Sequence, residues 1–413
     1  MYQECTESRM ATNRRQDITR AFAGEGTDSL PWVPRLDLWY LANKRAGTLP
    51  ARYRDASLLE LVDDMGWGFH AIVPNFKDLR DPSDEADRAL GLYNLWNMPY
   101  QTVLENVRRT VRVDGERTIV VYETPRGTIR TVTVYDEAMR NAGITISHVA
   151  EHAIKGPQDY AAVGWLFENA RVVPAYEGYA RYADQVGDRG VAAAFVSLAG
   201  SPMHLVLREL MPFDSFYYAL YDSRDELLDL AQKIAGYWRR VMEVVCDCPA
   251  DVVFVGANYD AATTYPPFFD EHIKPWLREY AQRLHARGKY LLTHTDGENT
   301  GLLEHYLDSG IDIADSICPS PMTKLSIKDV RDSFQNRIAI LGGIPSVSLL
   351  SSSMSDREFD EFVAMFFRQL GDGRRHVLGI SDTTPPAAQW NRLVKLGEMA
   401  RSFGPIKPTK PNQ

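Results

Sequence analysis

The stretch Leu291-Leu292-Thr293-His294-Thr295-Asp296-Gly297-Glu298-Asn299 carries the densest chemistry in this chain. An apolar run ends in a histidine, an aspartate follows two positions on, and a glycine then permits a sharp turn. Along a β-strand, side chains at i and i+2 point the same way, so His294 and Asp296 are expected to converge. An imidazole and a carboxylate aimed at one spot can bind a metal ion or move a proton. The plainer alternative is a strand-end histidine hydrogen-bonded to a neighbouring acid. Glu298 and Asn299 weigh against it, because so many polar residues in one short stretch are costly to bury for packing alone.

A second candidate is Leu378-Gly379-Ile380-Ser381-Asp382-Thr383-Thr384-Pro385-Pro386, another apolar run that ends in small residues and an acid. Asp382 either faces His294 across the rim of a barrel or caps a helix that begins near Pro386. The third is the polar loop from Gly256 to Pro267, where Asn258 and Asp260 are candidate substrate ligands and Tyr265 a wall. An ordinary Asx-rich loop reads equally well there. Glu298 and Asp37 join the substrate-binding candidates. Ser197 with His204, Asp315, and the Gly342-Gly343 pair are weaker ones, the glycines suiting either close backbone approach or a simple turn. His148 and His152 share a helical face by spacing, but Glu151 does not complete a HExxH motif, so the pair reads as structural. The aromatics Trp32, Trp39, Tyr40, Trp67, Tyr93 and Trp96 form either a pocket or core.

The elements that must position these residues alternate along the chain. Strands are predicted at 191–198, 251–256, 289–294, 311–317, 337–342 and 376–380, with helices at 222–245, 267–287, 300–308, 327–334 and 356–370. Gly288 and Gly310 each stand between a helix and a strand, where a left-handed cap is favoured. Such alternation means parallel strands joined by crossover helices. Two earlier strands, 33–38 and 69–73, raise the count to eight, so the expected fold is α/β, a (β/α)8 TIM-type barrel. No GxGxxG follows the first strand, which weakens an open dinucleotide-binding sheet.

One region interrupts the alternation. The segments 107–113, 117–123 and 128–135 are β-branched and joined by turn residues, predicting a three-stranded antiparallel meander inserted at about 107–136. It is suited to cap the barrel mouth or to pair with a second copy of the chain in a homodimer. The rest divides into an N-terminal extension (1–25), one barrel domain (26–404) and a proline-rich tail (405–413) expected to be disordered.

Composition sets the class. The chain has 413 residues, 45% hydrophobic and 24% charged, which leaves no bias toward disorder. A net charge of -9 argues against nucleic acid and anionic membranes as partners. Cys5, Cys246, Cys248 and Cys318 form no CxxC pair, so a thiol zinc site or a disulfide scaffold is not expected. The first 22 residues lack the apolar core of a signal peptide, and no apolar run suits a membrane span. A cytoplasmic protein acting on a small molecule is expected.

At these motifs the chain resembles the uroporphyrinogen decarboxylase-like superfamily, and within it the corrinoid-dependent methyltransferases. The resemblance spans roughly 191–400 and is loose in the N-terminal third. Its landmarks are the loop and helix at 258–276, His294-Thr295-Asp296-Gly297, Gly310-Ile311-Asp312, Leu341-Gly342-Gly343-Ile344, and Leu378-Gly379 through Pro386. It implies a distorted barrel with its site at the carboxyl ends of the strands. Members of this branch that methylate thiols typically hold zinc with His-x-Cys and a later cysteine. Here His294 matches the histidine, while Asp296 and Asp382 stand where the cysteines would be. That departure implies a harder, more Lewis-acidic centre, suited to an oxygen leaving group such as a methyl ether.

The resemblance therefore implies a divalent metal, zinc foremost, held by His294, Asp296 and Asp382. It also implies methyl transfer from a small methoxylated substrate to a corrinoid (cobalamin). No DxHxxG segment is present, so a partner protein would carry the corrinoid. The decarboxylase branch is echoed only in part, by Lys44-Arg45-Ala46-Gly47-Thr48-Leu49-Pro50-Ala51-Arg52-Tyr53-Arg54 against RQAGRYLPEYR. The carboxylate those decarboxylases place after the second strand is missing from Val73-Pro74-Asn75-Phe76-Lys77-Asp78 at the matching position. The alternative is a metal-free lyase or decarboxylase acting on a small carboxylated substrate, with the same carboxylates as acid and base. A binding barrel without catalysis is the third reading.

Overall fold

The computed structural model describes residues 13–409. The residues before Asn13, Cys5 among them, and the last four of the expected disordered tail lie outside the described residues.

In chain order, β1 (Tyr100–Leu104) pairs antiparallel with β6 (Ala170–Pro174). Between them, β2 (Arg108–Asp114), β3 (Arg117–Thr124), β4 (Gly127–Val134) and β5 (His148–Glu151) form an antiparallel sheet in that order. The expected meander is thus present, extended by a fourth strand. His148 lies in that strand rather than on a helix, and the His152 ring bonds the carbonyl of Glu209 at 2.8 Å.

The second half builds a parallel sheet of β7 (Ala193–Ser197), β8 (Val252–Ala257), β9 (Tyr290–His294), β10 (Ile313–Ile317), β11 (Ala339–Ile344) and β12 (His376–Ile380), adjacent in sequence order. Apart from Tyr290, every residue of these strands is buried, as the near-continuous apolar runs require for a sheet covered on both faces. Crossover helices follow the predicted pattern, among them Arg224–Cys246, Leu303–Ser309, Ile327–Phe334 and Asp356–Leu370. Gly310 ends one of them in the left-handed conformation (φ 83°). The segment predicted as one helix over 267–287 contains a π turn, Phe269–Ile273, before the helix Lys274–His285.

The two earlier strands are not regular. Val33 donates to the Leu378 carbonyl, Leu378 donates to that of Pro31, and Gly68 donates to that of Trp32, at 2.8 to 2.9 Å. Ala193 in turn donates to the carbonyl of Ala71 at 3.0 Å. The segments around 31–33 and 68–71 therefore lie against β12 and β7 with few ladder bonds. Pro34 has no N–H to continue the ladder, and a helix begins at Asp37.

Both ends of the described chain are docked. A helix, Arg14–Ala23, buries Ile18, Ala21 and Phe22. Residues 405–409, expected to be unfolded, are held: Ile406 pairs with Thr27 and is buried, and Thr409 donates to the Gly24 carbonyl at 2.7 Å. Among the described residues no helix is long and apolar enough to cross a membrane.

Candidate functional site

Two strands, β9 and β12, deliver the site at their carboxyl ends, and β10 supports it from its middle. His294 is the last residue of β9 and is 5% exposed. Its Nδ1 lies 2.6 Å from Oδ2 of Asp315 in the middle of β10, and its Nε2 lies 3.5 Å from Oδ1 of Asp382 just beyond β12. Donor atoms of His294, Asp296 and Asp382 all lie within 4.8 Å of one another. Asp296 is brought there by the turn, with Gly297 at φ 124°, because β9 itself ends at His294. A side chain on Gly297 would strike the Tyr259 carbonyl at 2.7 Å.

The local backbone is bent to present these groups. Asn258, Ser316 and Asp382 adopt φ of 57°, 62° and 57°, a region that non-glycine residues seldom occupy. Register shifts interrupt β7, β8 and β10 near their carboxyl ends, and such bulges re-aim side chains beside active sites. Gly342 and Gly343 lie within β11 rather than in a turn after it. A Cβ on Gly342 would come 3.3 Å from the Ser316 Cα, so the glycine admits the bulge of β10.

The electrostatics are strongly polarised. Burial would pull the His294 imidazolium down, but the hydrogen bond and charge of Asp315, then those of Asp382, hold it up at about 9. Burial would raise Asp315, yet bonding to His294 and the nearby His70 keep it well below the usual carboxylate range. Asp382 resists its own burial through His294 and the Arg35 guanidinium, falling to about 2. Asp296 is raised, first by burial, with His294 opposing and the Asp382 charge adding to the rise. Arg35 hydrogen-bonds Asp382 at 2.9 Å and forms an ion pair with Asp37 at 3.3 Å.

This donor set fits a divalent cation. One imidazole nitrogen and two carboxylates share a space the size of one coordination sphere. Around it, Asp37, Asp296, Asp315 and Asp382 outnumber the charge of Arg35, and a His294 that gives up its Nε2 proton to ligate adds none, so further positive charge is accommodated. Asp315 also does for His294 what metal-bound histidines need, fixing Nδ1–H so that Nε2 faces the ligand. The Cys318 thiol stands near Asp296 and Ser381, pushed up to about 12 by burial, then by the Asp296 charge.

Other predicted residues fall elsewhere. Asp260 accepts the N–H groups of Ala262 and Glu298 on its two oxygens, and Glu298 accepts those of Thr300 and Lys324. Both staple loops rather than project toward a ligand. Asn258 is exposed, and its N–H donates to the His294 carbonyl at 2.9 Å. Tyr265 packs against Tyr217 and Phe268. Asp382 caps no helix, since the helix near it starts at Trp390. Ser197 and His204 each bond nearby backbone N–H groups, of Ala199 and Gly200, and not each other. Trp39 and Trp67 pack on Trp390, while Tyr93 packs on Phe195, as core.

A cavity of about 270 Å³ opens beside the cluster. His70 and Asp37 stand in its wall, the first 3.6 Å from Asp315 and the second bonded to Arg35. Tyr40, Phe69, Tyr182 and Asp78 line it further.

No family model matches the chain, and no curated protein does. Among solved structures it is similar to a methyltransferase from Methanosarcina mazei. The likeness is one of fold. It covers 94% of this chain and 98% of that one, with a TM-score of 0.50 and 15% identity.

Sequence reasoning missed Arg35 and His70 and ranked Asp315 low. The signal for Asp315 was present: an acid inside Ile313-Ala314-Asp315-Ser316-Ile317 is costly to bury without a charged partner. Arg35 and His70 sit in the two irregular segments, where no strand periodicity marks which side chains point inward.

Proposed function

We propose that this chain is a methyltransferase on an eight-unit α/β barrel, with segments 31–33 and 68–71 taking the first two strand positions. In this reading it moves a methyl group from a small methoxylated substrate to a corrinoid carried by a partner protein in the cytoplasm. The observation that carries it is the convergence of His294, Asp296 and Asp382 within 4.8 Å at the strand ends. The fold likeness to a methyltransferase is compatible with it.

His294 Nε2 and the carboxylates of Asp296 and Asp382 would hold a divalent metal, zinc foremost. A bound cation supplies Lewis acidity to the oxygen that leaves with the demethylated product. Asp315 keeps the His294 ring oriented through Nδ1–H. Arg35 fixes the Asp382 carboxylate, held also against the Asp382 carbonyl at 3.2 Å. Asn258, an exposed residue, and Asp37, in the cavity wall, would orient the substrate, with Tyr265 as a wall of the Asn258 loop. The test is metal analysis of purified protein combined with demethylation of a methoxylated aromatic in the presence of cob(I)alamin. Stoichiometric metal, lost together with activity in His294→Ala, supports the proposal. Absence of metal with full activity in that variant overturns it.

One observation favours a second reading, a metal-free lyase or decarboxylase. Both His294 nitrogens face carboxylates, and the ring remains protonated to about 9, as a general acid requires. Activity that survives chelation but not His294→Ala would select this second reading.

A further inference from the structure

We propose that the cavity beside His70 binds an organic ammonium group, so that the substrate is a small amine or quaternary ammonium compound with an apolar body. This rests on reading the adjacent His294 cluster as the reaction centre, toward which the other end of the ligand extends. The shared wall makes that placement direct, because His70 lines the cavity and approaches Asp315 at 3.6 Å.

Three observations carry the assignment. Besides aromatics, aliphatics and the neutral polar groups of Asn75, Asn97 and Thr145, the lining contains two acids and His70 but neither lysine nor arginine. Asp37 is matched by Arg35, whereas Asp78 has no cation within ion-pair distance among the described residues. An unmatched carboxylate facing an apolar space welcomes a cation and repels an anion. Next, the rings of Phe69 and Tyr182 share that wall, beside a Tyr40 ring already met by the Lys44 ammonium at 5.1 Å, and aromatic faces attract ammonium ions most when water is excluded. Finally, the His70 side chain stands in the same wall with Nε2 3.6 Å from Oδ1 of Asp315, so it joins the cavity directly to the His294 cluster.

Supporting charges agree. Burial raises the Asp78 carboxyl against a Trp96 hydrogen bond, and a bound cation would lower it again. The Tyr182 hydroxyl is raised by burial and then by the charges of Asp37 and Asp78, two acids of the same wall. The volume, equal to roughly nine water molecules in the liquid, suits a body of choline size.

The test is titration calorimetry on the whole protein with three shape-matched probes: choline, neutral 3,3-dimethylbutan-1-ol and anionic 3,3-dimethylbutanoate. Choline is expected to bind about tenfold or more tightly than the alcohol, with the carboxylate weakest. Asp78→Asn should abolish the preference for choline over the alcohol, and Tyr182→Leu should weaken choline binding without removing that acid. Should Asp78→Asn fail to fold, the ranking of the three probes in the wild type decides alone. Equal affinity for choline and the alcohol, preference for the carboxylate, or no choline binding at millimolar concentration overturns the proposal. His294→Ala should retain choline binding. Choline binding with no demethylation of an O-methyl ether of choline in the presence of cob(I)alamin would sink the proposed activity and leave the cavity assignment standing, and the reverse result would do the opposite.

Discussion

Asp260 and Glu298 are the same kinds of residue as Asp296 and Asp382, and lie in the same group of rim loops. Their fates differ because of what their oxygens meet. Those of Asp260 and Glu298 are filled by backbone N–H groups, which makes each a clasp between turns. Asp296 and Asp382 instead point toward one imidazole and toward each other, with Asp382 also gripped by the Arg35 guanidinium. An acid in a polar loop is therefore a site residue only when the backbone around it is satisfied by something else. Here the clasping acids perform that task for the others, since Glu298 is anchored to Asp260 two residues beyond Asp296.

Substitutions should separate the two groups. The largest effect is expected from His294→Ala, which should lower turnover roughly a thousandfold if the centre contributes several kcal/mol of barrier lowering. A loss of less than tenfold, with folding intact by circular dichroism, would erase the distinction. Asp315→Asn should cost about 10- to 100-fold in metal affinity or activity, because it leaves the ring but weakens its orientation.

The same variant sharpens a pH contrast. The folded value of about 9 for His294 lies above the roughly 6.5 of an unfolded histidine. Its ion pairs with Asp315 and Asp382 therefore stabilise the fold fully below that lower value, and the contribution is lost as pH rises through about 9. Urea unfolding of metal-free protein between about pH 6 and pH 10 should show a decline that is much shallower in Asp315→Asn. Parallel profiles would mean that the pair contributes nothing. The smallest effect is expected from Asp260→Ala, which should cost about 1–3 kcal/mol of stability while metal content stays unchanged.

How much of this was legible varies along the chain. The six parallel strands were read to within two residues at most ends because a sheet covered on both faces imposes long apolar runs. The meander was read from its turn residues. β1 and β6 were missed because two short strands distant in sequence carry no turn signal between them. The segments 33–38 and 69–73 were overread as strands, since apolar composition does not reveal that Pro34 and Pro74 cut their ladders short. Within the site, His294, Asp296 and Asp382 were legible from strand-end position. Asp260 and Glu298 were not distinguishable from them, because hydrogen-bond partners are a property of the folded loop.

Arg35 touches Asp382 across 347 positions of chain. A group near the amino terminus thus grips one contributed by the last strand's exit. The constellation cannot assemble on a nascent polypeptide until that final loop has been synthesised. Any fragment ending before it, however well folded, would lack the carboxylate that Arg35 grips.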